Sequence, residues 1–319
     1  MRAVRYHDYG EADVLDVDEI ERPAPDADEV LVEIRAASVN PVDLMIRTGA
    51  YGDVPLPSVP GGDGAGVVAA VGDDVASFDV GDRVFASGMD RAAGGTFAEY
   101  AAIPKTKLAH LPENVSFEIG AAIANVGATA WTALAEVADI QPGDRVLVHG
   151  GSGGVGHAAV QIAACGGADV IATAGSEDAR DRVRELGATA VLDYESDALA
   201  EEVLAATDGA GVETVLDHKL EEHLDVDFQA VAEGGQIVAI MGHVPEASGV
   251  PLYTKEITVR GLRMDNHPVR APTLERLARL MEREELTAVV ADTYDFEETT
   301  QAHRDMATGG YVGKLVVTP

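Results

Sequence analysis

Gly151-Ser-Gly-Gly-Val-Gly156 follows the short apolar run Arg145-Val-Leu-Val-His149 and precedes an Ala-rich run from His157 to Cys165. That order reads as strand, tight turn and helix, the context in which a GxGxxG stretch forms a dinucleotide-binding fingerprint. Glycines let backbone amides approach a pyrophosphate, and the positive end of the following helix favours the anion. The same rhythm surrounds the turn. A helical pattern over 121–138 leads to the strand at 145–149, a helix over 155–165 to a strand over 169–173, and a helix over 177–186 to a strand over 190–194. A helix over 198–206 then leads to a strand over 212–217, with further strands expected at 236–241 and 258–262. Strands alternating with helices predict a doubly wound parallel sheet with right-handed crossovers.

The first 120 or so residues read differently. Residues 30–35 alternate like a half-buried strand, and 64–71, 80–85 and 97–103 are further strand candidates between turn signals. After Pro268 an amphipathic helix is expected over 273–284, with Leu274, Leu277, Leu280 and Met281 at helical spacing. Residues 314–317 form a terminal strand with no continuation of its own, so it is expected to join the first domain.

A chain of 319 residues holds one large or two ordinary domains, and 46% apolar residues are enough for a sizeable core. There is no run of about 18 apolar residues, so no membrane span is expected. Met1-Arg-Ala-Val-Arg-Tyr6 begins directly with strand-like alternation, so no signal peptide is expected and a cytoplasmic protein is the simplest reading. The single cysteine, Cys165, excludes an intramolecular disulfide and a Cys-rich zinc site, and reads as a small buried side chain.

An ordered set of motifs carries a resemblance along essentially the whole chain. It comprises Arg2-Ala-Val, Ala37-Ser-Val-Asn40-Pro-Val-Asp43, Gly49-Ala-Tyr51, Leu56-Pro-Ser-Val-Pro-Gly61 and Asp63-Gly-Ala-Gly-Val-Val68. Gly81-Asp-Arg-Val-Phe85, Gly95-Thr-Phe-Ala-Glu-Tyr100, Ala128-Thr-Ala-Trp131, Gln141-Pro-Gly-Asp-Arg-Val-Leu-Val-His-Gly150 and the glycine turn complete it. The set resembles the zinc-free quinone oxidoreductase branch of the medium-chain dehydrogenase/reductase superfamily. The resemblance implies an α/β protein with a GroES-like, β-rich catalytic domain over 1–122 and 268–319. A Rossmann domain with a doubly wound parallel sheet is implied over 123–267, with the active site in the cleft and a homodimer or homotetramer formed through the Rossmann sheet edge.

Within that superfamily, zinc enzymes place a Cys ligand near position 40 and a His-Glu pair after the Pro-Gly turn. Here Asn40 and Gly62-Asp63 stand in those places, so no metal is expected. An NAD site puts Asp or Glu at the end of the second strand. Here Ile171-Ala-Thr-Ala-Gly-Ser176 ends in small neutral residues, which points to NADPH. Ser176 matches the family's phosphate-contacting position and Arg180 is the nearby cation, with an exposed helix residue as its bland alternative. Tyr194 matches a position near the adenosine phosphate, Thr129 a cofactor contact on a helix, and Met241-Gly242 a nicotinamide-side loop. With Gly151, Ser152, Gly153, Gly154, Val155 and Gly156 these form the implied cofactor set. Asp217-His-Lys-Leu departs from the small residue and Gly-Gly usual at that point.

Without zinc, hydride transfer suits quinones and α,β-unsaturated carbonyls, because the oxyanion formed is delocalised. The resemblance gives Asn40 an amide that reaches the substrate or nicotinamide ribose, with Asp43 three residues on. Tyr51 matches the tyrosine that related enoyl-thioester reductases use as proton donor or oxyanion partner, and a phenol with a pKa of about 10 stays protonated at neutral pH. For Asp43 a structural hydrogen bond, and for Tyr51 a pocket-shaping loop position, are the alternatives. The expected substrate is thus a small quinone or enone; the alternatives are a 2-enoyl-thioester reductase, a non-catalytic NADPH-binding protein, or a metal-dependent alcohol or sugar dehydrogenase.

The charge balance is 23 − 55 = −32, and only five of the cations are lysines, at 105, 107, 219, 255 and 314. The acids are dispersed, as in Asp26-Ala-Asp28-Glu29 and Glu282-Arg-Glu284-Glu285, which suits a folded protein with a solvated acidic surface. Nucleic acid is a poor partner for such a surface. The composition resembles that of proteins of salt-accumulating archaea, in which molar salt cuts the Debye length to about 3 Å and screens the self-repulsion. Thermal unfolding is therefore expected to shift upward as KCl rises into the molar range, and full stability in dilute buffer is the contrary outcome.

Overall fold

Val146, Leu147 and Val148 are fully buried in the strand Arg145–Val148, as befits a strand covered by helices on both faces. The computed structural model describes residues 1–89, 94–246 and 249–319, and the chain divides into two units, 1–128 with 267–319 and 129–266. In the second unit six parallel strands form one sheet: β1 (Arg145–Val148), β2 (Asp169–Ala174), β3 (Ala190–Asp193), β4 (Val212–Asp217), β5 (Val231–Ala239) and β6 (Thr258–Gly261). Their order is β3-β2-β1-β4-β5-β6, so it reverses between β1 and β4. Helices α1 (Gly154–Cys165), α2 (Glu177–Glu185), α3 (Leu199–Ala206) and α4 (Leu220–Ala230) alternate with the first five strands. Leu147, Ile171, Val203, Val215, Leu224 and Ile237 meet in its core. Cys165 departs from expectation: α1 buries Ala158, Ala159, Val160 and Ile162, but its last turn runs into solvent and leaves Cys165 exposed.

The first unit is built on a sheet that is antiparallel except for the parallel pair Val290–Asp295 and Lys314–Thr318. Strands Lys314–Thr318, Glu29–Ser38, Asp63–Val71, Arg83–Ser87 and Leu108–His110 follow one another across it, Val290–Asp295 flanks Lys314–Thr318, and Tyr100–Pro104 also pairs with Glu29–Ser38. Val316 and Val317 pair with Ser38 and Ala37, so the terminal strand joins this unit as expected. Arg2–Tyr6 and Leu15–Glu19 form a separate two-stranded ribbon. Helix Ala271–Glu282 turns Leu274, Leu277 and Met281 inward.

A buried charge cluster ties the chain's end to its early strands. Lys314 is 2% exposed, and its Nζ donates to the Val39 carbonyl at 2.5 Å and to Asn40 Oδ1 at 2.8 Å. Asn40 Nδ2 donates to Asp63 Oδ1 at 3.1 Å and to the Ser38 carbonyl at 3.3 Å, and Ser38 Oγ donates to both Asp63 oxygens. Burial pushes the Asp63 carboxyl up to about 6, against the pull of the Lys314 ammonium, and burial also draws the Lys314 ammonium down. Each charge is thus tolerated because the other is present. A second lysine is used in the same way in the other unit, where Lys255 Nζ donates to the carbonyls of Phe228, Gln229 and Val231, each at 2.9 Å.

Removing one partner of a buried ion pair costs about 3–5 kcal/mol, because the other charge is left uncompensated. Lys314→Met is expected to destabilise the protein by that order in denaturant unfolding. Lys314→Met combined with Asp63→Asn is expected to lose clearly less than the sum of the two single changes.

Candidate functional site

The carboxyl ends of β1, β2, β4 and β5 gather most of the expected cofactor residues. After β1 the backbone folds back on itself: Gly151 N donates to Thr173 O and Gly153 N to Gly150 O, each at 2.8 Å. No side chain fits at two of these glycines. A Cβ on Gly151 would lie 2.9 Å from Ala172 Cβ, and one on Gly156 would overlap the Gly150 carbonyl oxygen. Gly153 caps α1 with extended backbone, and Ser152, Gly154 and Val155 are half-buried beside it. The first turn of this 12-residue helix carries no acidic side chain, so its amides and dipole face the turn without a built-in anion. The clearance and the free helix end together make a cradle for a phosphate group.

At the end of β2, Ser176 caps α2, its Oγ accepting from Ala179 N at 3.2 Å. Arg180, one turn on, is not a free surface residue. Its Nη1 donates to the Gly175 carbonyl and to Asp193 Oδ2, the latter at 2.9 Å, so it is anchored across the ends of β2 and β3. Tyr194 is 52% exposed, and its ring lies over Gly175, where a Cβ would be 2.7 Å from Tyr194 Oη. Ser176, Arg180 and Tyr194 therefore converge on one glycine. Asp193 is a member of this group that sequence reading missed; its position as the last residue of a strand was the available signal. Glu177 and Asp178 are exposed in the first turn of α2.

On the other side of the strand reversal, Met241 and Gly242 follow β5. Met241 is exposed, and Gly242, with φ +98°, packs against the side chain of Glu221 in the first turn of α4. Between them and the glycine turn lies a column of histidines. Buried His149 Nε2 bonds Asp227 Oδ1 at 2.8 Å, and its ring stacks on His223 at 4.2 Å between centroids. His223 Nδ1 bonds Asp217 Oδ1, also at 2.8 Å. Burial by itself would raise the Asp217 carboxyl, but hydrogen bonds from His223 and the Lys219 amide outweigh it and hold it low. Burial would lower the His223 imidazole, but the Asp217 carboxylate outweighs it and holds the ring above its ordinary value. Among these residues sequence reading noted His149 and His218 but missed His223 and Asp227, which α4 brings in from its interior.

The expected catalytic residues lie in the other unit, and Thr129 is buried on helix Phe117–Trp131. Asn40 and Asp43 are close to fully buried, and Asp43 Oδ2 accepts from Asn40 N at 2.8 Å. Both N–H bonds of the Asn40 amide are engaged by Ser38 and Asp63, and its carbonyl by Lys314. Tyr51 is 36% exposed on the turn that follows helix Pro41–Arg47.

Comparison with known proteins places this arrangement in a family. Residues 26–113 match the family model described as alcohol dehydrogenase GroES-like domain, and residues 154–283 match that described as zinc-binding dehydrogenase. The quinone oxidoreductase of Lama guanicoe is 34% identical over 324 residues, covering 99% of this chain and 97% of its own. Among solved structures, an NAD-dependent alcohol dehydrogenase superposes with a TM-score of 0.94 at 32% identity, and the two chains cover each other completely. Escherichia coli quinone oxidoreductase complexed with NADPH superposes with a TM-score of 0.90 at 27% identity, again over the whole of both chains. With its sheet order, its glycine cradle and this whole-length likeness, the chain belongs to the medium-chain dehydrogenase/reductase superfamily and is an oxidoreductase of the quinone oxidoreductase-like kind.

Proposed function

We propose that the protein reduces a quinone or an activated alkene with NADPH, by direct hydride transfer and without zinc. The observation that carries the cofactor choice is the neutral end of β2. Ala174, Gly175 and Ser176 stand where an NAD site would place a carboxylate for the ribose hydroxyls, and Arg180 is anchored beside them. A 2′-phosphate at this point finds the Ser176 hydroxyl and competes with Asp193 for the Arg180 guanidinium. The NADPH complex of the E. coli relative supports this choice.

The residues do not fit zinc. Gly62 has no side chain, the Asn40 amide is engaged on three sides, and the Lys314 ammonium beside it opposes a divalent cation. When bound, the nicotinamide supplies a hydride to an electron-poor carbon. The protein's part is position and proton. Asn40 is held in a constant orientation by Lys314 and Asp63. Tyr51 donates its phenolic proton to the delocalised oxyanion and recovers one from the solvent to which it is exposed. Two electrons and two protons thus reach a quinone, giving the hydroquinone. The pocket loops leave a 2-enoyl thioester as the alternative acceptor, and Tyr51 is the feature that favours it.

The same reading makes the protein a cytoplasmic homodimer or homotetramer adapted to high salt. Support comes from β6, an edge strand with all four residues exposed, and from the net charge of −32. Among the described residues no helix is long and apolar enough to cross a membrane.

In molar KCl, kcat/KM is expected to favour NADPH over NADH, and Arg180→Ala is expected to reduce that ratio about tenfold, the worth of one charge-assisted contact. A wild-type ratio favouring NADH sinks the assignment. On a panel of quinones, enones and enoyl thioesters, Tyr51→Phe is expected to lower kcat by about 10²-fold or more with little change in KM. An undiminished kcat removes the proton from Tyr51, and faster turnover of thioesters than of quinones moves the substrate to the alternative.

A further inference from the structure

Gly150 stands one residue ahead of the glycine turn with φ +63°, and its N–H donates to Thr173 Oγ1 at 3.0 Å. Over its open face lies the His218 ring: a Cβ on Gly150 would come within 2.6 Å of His218 Cε1 and 3.1 Å of Nε2. The imidazole thus packs on the backbone that leads into the phosphate cradle. His218 immediately follows β4, and β1 and β4 are the neighbours between which the strand order reverses. A dinucleotide in such a sheet crosses from one half to the other at this crevice. With the adenosine end at β2 and β3, its nicotinamide half falls on the β4 side.

The His218 side chain has few commitments. Among the described residues its nitrogens have no hydrogen-bond partner, and its ring meets the edge of His223 at 5.9 Å between centroids. Burial pushes the imidazole down to about 4, so at neutral pH it is uncharged, with one N–H donor and one acceptor nitrogen. The ring is half-buried, and its nitrogens are not among the buried polar atoms, so they remain open to an incoming ligand. The ring it leans on is fixed from behind: His223 is held by Asp217 and stacked on His149, which Asp227 holds in turn. This support presents a functional group in one orientation.

We propose that His218 is a cofactor-contacting residue, its imidazole N–H donating to an oxygen of the nicotinamide-side ribose or phosphate of the bound dinucleotide. The proposal rests on the NADPH reading above. It gives a purpose to the departure at Asp217-His-Lys-Leu, where a larger polar side chain meets the glycine turn.

Calorimetric titration of the whole protein with NADPH and with adenosine 2′,5′-bisphosphate tests it. His218→Ala is expected to weaken NADPH binding about tenfold, the effect of one lost hydrogen bond to the ligand, and to leave the bisphosphate constant unchanged. The retained bisphosphate affinity shows that the variant is folded. His218→Gln keeps an N–H and is expected to recover most of the loss. If His218→Ala binds NADPH as tightly as the wild type or more tightly, or if both variants lose both ligands equally, the inference is overturned while the NADPH reading stands. A wild-type protein that binds neither ligand overturns that reading and the inference with it.

Discussion

The second unit depends on one backbone contact, the approach of Gly156 to the Gly150 carbonyl with no side chain between them. That contact seats the start of α1 directly on the end of β1. It brings the positive end of the helix to the sheet edge, and among the described residues no side chain caps that end. Everything proposed for the dinucleotide follows from it, because β2, β3 and β4 are placed by their pairing to β1 and to one another. A methyl group at position 156 would push the helix away and close the cradle.

The two units solve the problem of buried charge differently. In the first, Lys314 and Asp63 neutralise each other through Asn40, and the result is a rigid node that joins strand Lys314–Thr318 to strand Glu29–Ser38. In the second, two carboxylates are each matched to an imidazole, and the rings are stacked. The first arrangement is an ammonium caged by oxygen acceptors. Among the described residues, the second leaves Oδ2 of Asp217 and of Asp227 and Nδ1 of His149 without partners.

Much of the fold was legible because it is periodic. The strands β1 to β4 and helices α1 to α3 lie within a few residues of where apolar spacing puts them, and the glycine turn announced itself by context. Helix α4 was missed although Leu220, Leu224 and Phe228 recur every four residues, because the unusual segment before it drew the reading to a departure from the family pattern. Cys165 was misread because an Ala-rich run gives no sign of where its last turn leaves the core. Asp193, His223, Asp227 and Lys314 were not legible as site residues at all. The hydrogen-bond partners that place them lie between 6 and 275 positions away, and the fold, not local pattern, brings them together.

The use of lysine carries a broader consequence. In this chain arginine outnumbers lysine 18 to five, since 23 − 5 = 18. Lys255 and Lys314 cap backbone carbonyls within the protein, and Lys105 does the same for Asp74 at 2.7 Å. A sequence drifting toward an acidic surface can exchange an exposed lysine for almost any polar residue. It has less freedom where the ammonium is already held among carbonyl oxygens inside the protein, as at Lys255 and Lys314. Lys255 and Lys314 thus mark points where an ammonium is built into the fold, whereas Lys219 pairs with Glu222 at the surface.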